Sequence, residues 1–147
     1  MMNTGEKLVR SSDIVTSVAW NLSGQTEYVL EGNINYTGAI ISWLKNSAQL
    51  IANSKEVGEL AKRANPNDKT YLVPAFSGLG APYWNADASA AFIGMTRNTG
   101  KCELARACEE AIAYQITDVV HAMQDASGLD IPEMRVDGGA VGDAFLM

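Results

Sequence analysis

The stretch best suited to chemistry is a predicted strand-to-helix turn with adjacent glycines, Arg135-Val136-Asp137-Gly138-Gly139-Ala140. Glycines let a backbone approach a ligand closely. The first amides of a following helix present unpaired N–H groups and a positive dipole end to an anion. Phosphate or nucleotide is the ligand such a turn would take, and a tight connection that binds nothing uses the same residues. Gly78-Leu79-Gly80 invites a dinucleotide reading but fails it. A Rossmann turn needs a Gly or Ala three residues after the second Gly, and that position is Tyr83, after Pro82. The chain has no Gly-x4-Gly-Lys-Ser/Thr, which excludes a P-loop.

Other reactive side chains read as structural. His121 is the only histidine and has no identifiable Ser, Cys or Asp partner for nucleophilic catalysis. Cys102 and Cys108 are six apart, about 240° around a helix, so they share no face and form no local metal clip. Buried reduced thiols are expected. Glu109-Glu110 reads as the solvated edge of a helix, and Lys62, Arg63 and Arg97 as surface charges. Asp13, Glu110 and Asp137 are the only trio that could serve a metal-dependent nuclease. Against that use stand the excess of acid over base, 17 to 11, and a net charge of −6.

The elements that must position these residues follow from periodicity. Ile14, Thr16, Val18 and Trp20 alternate with Val15, Ser17 and Ala19 as in a strand, and Ser23-Gly24 turns the chain into a second strand over Glu27–Leu30. A shorter strand over Lys7–Arg10 is expected before them, completing a meander. Ile34, Gly38, Ile41, Leu44, Ala48 and Ile51 fall at helical spacing, and Val57, Leu60, Ala61 and Ala64 continue it in a second short helix stopped by Asn65-Pro66. Tyr71–Val73 and Ala91–Met95 read as short strands around a turn-rich loop at 77–84. Lys101–Gln124 is the clearest amphipathic helix, ended by Ser127-Gly128 and Ile131-Pro132. Met134–Asp137 then reads as an extended run into Gly138-Gly139, and Ala140–Met147 as the start of a helix. The pattern predicts an α/β fold, a mixed sheet with helices against it.

Composition sets the class. At 147 residues, 47% hydrophobic and 19% charged, the chain fits one globular domain with a sizeable core. It has no basic cluster for nucleic acid or an anionic membrane, and no apolar run of membrane-spanning length or signal-peptide type. A cytoplasmic protein is expected.

Several segments carry a family resemblance. Met2–Lys7, Leu30-Glu31-Gly32, Val73–Trp84 (with the ten residues Pro74–Tyr83 the most specific), Ala111–Gln115, Arg135–Val141 and Phe145-Leu146-Met147 closely resemble glycerol kinases of the FGGY carbohydrate kinase family, in unbroken order from residue 2 to 147. The resemblance implies a partial RNase H-like domain of the actin/hexokinase ATPase kind, truncated at both ends. Residues 1–147 would form the central part of the nucleotide-binding C-terminal domain, with 34–95 an insertion. It implies ATP or ADP with Mg2+ as cofactor, Gly38, Ser42, Gly139 and Asp143 as nucleotide contacts, and Asp137 and Gly138 as the supporting turn. The family usually has Gln and Asn at the positions of Ser42 and Asp143. The Asp143 carboxylate accepts hydrogen bonds but cannot donate, which implies weaker ADP binding. The aspartate base, the Mg ligands and the glycerol contacts would lie outside this chain, leaving it inactive alone. A homo-oligomer is expected, because unpaired strand edges tend to pair with another copy. The alternatives are a non-catalytic nucleotide-binding or oligomerisation module, and a kinase for another polyol or sugar.

Overall fold

The computed structural model describes all residues 1–147. Three antiparallel strands form one sheet in the order β1-β3-β2, with β1 Met2–Gly5, β2 Val15–Leu22 and β3 Gln25–Glu31. The turn between β2 and β3 falls at Ser23-Gly24, where both residues take positive φ (53° and 83°). That backbone twist matches the twist of the flanking strands, so a two-residue hairpin adopts it. Helices α1 (Gly38–Asn46) and α2 (Glu56–Lys62) follow. A two-stranded antiparallel pair, β4 (Tyr71–Val73) and β5 (Ala91–Ile93), leads to α3 (Lys101–Ser127) and a 3-10 turn at Gly139–Gly142.

Helix α3 has 27 residues, about 40 Å at 1.5 Å per residue, and serves two cores. Its N-terminal half contributes Ala105, Ala107, Cys108, Ala111 and Ile112 to a cluster with Ile40, Leu44, Ile51, Val57, Leu60 and Leu72. Its C-terminal half packs Val119 and Met123 against Val9, Ile14, Leu30 and Ala81. Gly32 permits this second contact, since a Cβ there would lie 3.0 Å from Val119 Cγ2 and nearer still to Cγ1. The turn-rich loop at 77–84 ties the parts together. Ala81 N donates to Asn33 O (3.2 Å), Tyr83 OH to Asp118 Oδ2 (2.8 Å) and Trp84 Nε1 to Asp13 O (2.9 Å).

Strands and helices combine as the α/β reading expected, but the strands form two separate antiparallel sheets and not one mixed sheet, and four local corrections follow. The strand anticipated at Lys7–Arg10 lies earlier, at Met2–Gly5, because Gly5 at φ +63° turns the chain off β3. Val9 is buried all the same, and its carbonyl accepts from the Thr16 hydroxyl. The helix read across 34–51 is confined to 38–46, and Gln49 at φ +53° breaks the pattern before Ile51. Met134–Asp137 forms no strand: the segment pairs with nothing, and a cavity of about 680 Å3 is bordered by it and by β1. The helix anticipated from Ala140 is a single 3-10 turn. There the Asp143 side chain captures the Phe145 and Leu146 amides (2.9 and 3.4 Å), the competition by which Asp disfavours helix interiors.

Candidate functional site

The Gly-Gly turn has the backbone its sequence suggests. Gly138 sits at φ +98°, where a side chain is strained, and its amide donates to Asp137 Oδ1 (2.6 Å). Gly139 opens the 3-10 turn, and a Cβ built on it meets nothing within 4 Å. The turn therefore offers accessible backbone without a long helix dipole behind it. Gly38 is the first residue of α1 and is equally open, and Ser42, one turn on, is exposed. No hydrogen bond joins this α1 pair to residues 137–143.

Asp143 behaves differently from the other three. Its side chain is half-buried and lies against α2, where Gly58 leaves room for it: a Cβ at 58 would stand 2.7 Å from its Cγ and closer to its oxygens. Lys62, one turn along α2, is held charged chiefly by its hydrogen bond to Glu59 (2.8 Å), with Asp143 adding to the effect. Across from α2, Glu109 of α3 is 3% exposed and its Oε2 has no hydrogen-bond partner. Burial pushes this carboxyl up to about 7, and the Asp143 charge pushes in the same direction. The reading of Glu109-Glu110 as a solvated edge thus fails for Glu109. Glu110 alone faces outward, beside Arg106 (3.2 Å).

The remaining candidates separate. Asp13, Glu110 and Asp137 do not meet, and the molecule gathers no three His, Cys, Asp or Glu side chains able to hold a metal ion. Cys108 is buried and Cys102 half-buried, both as free thiols, and burial pushes the Cys108 thiol up to about 12. Exposed His121 borders a concavity of about 430 Å3 that also presents Asp13, Tyr83, Asp118 and Asp125. Sequence reasoning did not find this acidic dish, because its members come from the segment before β2, the 77–84 loop and α3.

The whole chain, residues 1–147, matches the profile of the FGGY family of carbohydrate kinases, C-terminal domain. The chain belongs to that family. Among FGGY relatives, the glycerol kinase of Listeria innocua is 46% identical over 148 aligned residues, covering 100% of this chain and 30% of that protein. A crystal structure of Plasmodium falciparum glycerol kinase with ADP superimposes with a TM-score of 0.88 at 34% identity, over 98% of this chain and 29% of that one. The xylulose kinase of Bifidobacterium adolescentis, at 21% identity, shares the fold with a TM-score of 0.75 over 97% of this chain and 27% of its own. This FGGY domain therefore has the architecture of the actin/hexokinase-type ATPases. It spans about 30% of the length of the curated relatives it matches. No helix in it is long and apolar enough to cross a membrane.

Proposed function

We propose that this chain is part of an ATP-dependent glycerol kinase, which converts ATP and glycerol to ADP and glycerol 3-phosphate, and that it supplies part of the nucleotide site. The observation that carries this reading is the end-to-end similarity to glycerol kinases, including one crystallised with ADP. Gly38 and Gly139 are the proposed close-approach points, and their open backbone suits an adenosine lying against them. Ser42 is exposed for a hydrogen bond, direct or through water. Asp137 and Gly138 set the turn, and Asp143 is the fourth contact, able to accept from the adenine amino group. Within the domain, 34–95 is the proposed family insertion.

Phosphoryl transfer needs a held Mg-nucleotide, a base at the attacking hydroxyl and exclusion of water. The carboxylates present do not fit a Mg site, so the metal, the base and the glycerol contacts are assigned to the rest of the enzyme. Binding and orienting the nucleoside is what this chain contributes. Its other proposed partner is a second copy, for which the exposed β2 edge with Val18, Trp20 and Leu22 offers a pairing surface. A Mg-ADP titration of the purified chain by calorimetry, with Gly139→Arg as control, tests the reading. Saturable binding lost in the variant is expected, with no turnover of glycerol by either. Absence of binding at millimolar ADP, or turnover by the chain alone, overturns it.

A further inference from the structure

Ala111 and Ile112 of α3 enter the main core, and Gln115, half-buried about one turn further on, directs its amide to backbone. Its Nε2 donates to Ala111 O within α3 (3.2 Å) and to Tyr36 O (3.1 Å), 79 positions earlier in the chain. A glutamine amide carries two N–H donors, so these two bonds use both of them. Of the hydrogen bonds made by α3, this is the one that reaches the segment leading into α1.

That segment needs an outside hold. Thr37 is the N-cap of α1, yet its side chain makes no capping hydrogen bond, so the usual local device for fixing a helix start is missing. Gly38, the first residue of the helix, has no side chain to anchor it, and a Cβ built there would meet nothing within 4 Å. Its place is set by its flanks. On one side Ile40 is fully buried in the main core. On the other, the Tyr36 carbonyl is held by Gln115 and the Tyr36 ring packs on Phe76, with centroids 5.1 Å apart.

We infer that Gln115 is a positioning residue for Gly38: by holding the Tyr36 carbonyl to α3, it sets where α1 begins and where the open backbone of Gly38 is presented. The bearing on ADP rests on the nucleotide role proposed above for Gly38, whereas the tether itself does not. Loss of the donor acts on this tether directly. Leu at 115 leaves the Tyr36 carbonyl without its partner in a half-buried place. Glu at 115 nearly keeps the shape of the side chain, but when ionised it sets acceptor oxygens against two carbonyls.

Hydrogen–deuterium exchange without nucleotide, together with calorimetric Mg-ADP titration, on the native chain, Gln115→Leu and Gln115→Glu tests the inference. The Ile40 amide, whose bond to Thr37 O (3.0 Å) lies in the first turn, should lose protection about five- to tenfold in Gln115→Leu, while the Cys108 and Ile112 amides of α3 keep theirs. The ADP dissociation constant should rise by a similar factor, and further in Gln115→Glu. Unchanged protection at Ile40, a loss shared equally by Cys108 and Ile112, or an unchanged dissociation constant in a chain that binds ADP overturns the inference. A native chain that binds no ADP overturns instead the function proposed above, and exchange at Ile40 alone then decides the tether. Should both variants fail to fold, the side-chain amide protons of Gln115 in the native chain decide. Exchange well below the rate of a free amide supports the tether, and exchange at that rate overturns it.

Discussion

Asp143 serves two partners that compete for one carboxylate. Where it lies, it caps the Phe145 and Leu146 amides and fills the gap at Gly58. In the proposed site it also meets adenine, and there a carboxylate repels phosphate and cannot donate. Asp143→Asn is therefore expected to tighten ADP binding by about tenfold, the worth of one restored hydrogen bond, measured by calorimetric titration. An unchanged affinity would show that the charge at 143 is not what weakens the site. The departure at 143 was legible in the sequence, because a motif fixes which residue to compare. Glu109 was not. Its neighbour Glu110 does face solvent, and only the packing of α2 onto α3 decides which of two adjacent acids is turned inward.

Glu103 fixes the start of α3. One carboxylate oxygen accepts from Gly100 N (2.8 Å) and the other from Asn65 N (2.9 Å), so a single side chain caps the helix and tethers the loop that follows α2. Those backbone donors hold its carboxyl below the ordinary value. Glu103→Ala should cost about 1–2 kcal/mol in urea unfolding, the usual loss for a helix cap. Glu103→Gln, which keeps one acceptor oxygen, should cost less. Long regular elements were readable from their apolar spacing, and α3 ends where Ser127-Gly128 predicted, with Gly128 left-handed at φ +70°. Short elements were not, because their limits depend on partners distant in sequence. Residues 134–137 have strand-like composition, yet an extended segment becomes a strand only beside another, and none pairs with it.

For the molecule as a whole, titrating groups of opposite sense set a window of stability. Asp68 is lowered from 3.8, chiefly by its hydrogen bond with Thr70, and Glu103 from 4.5 by the Asn65 and Gly100 amides. Each contributes stability present above its unfolded value and lost as pH falls through the depressed one. Glu109 runs the other way. Raised from 4.5 to about 7, it contributes stability fully present below 4.5 and lost as pH rises through 7. Chemical unfolding should therefore show greater stability near pH 5 than near pH 8, by no more than about 3 kcal/mol. Glu109→Gln should flatten that slope while leaving the acid limb unchanged. If the native chain is equally stable at both values, Glu109 is not titrating in a buried seat.

The passage of α3 through both cores gives the chain an internal clock. Cys108 has no exposed surface and a thiol pushed up to about 12, whereas Cys102, six residues earlier, is partly open to solvent. A thiol reagent should mark Cys102 at once and reach Cys108 only when the helix comes away from its neighbours. Because the same helix also braces the β-sheet, a lesion far from either cysteine, such as Leu30→Ala in β3, should quicken the second labelling step and leave the first untouched.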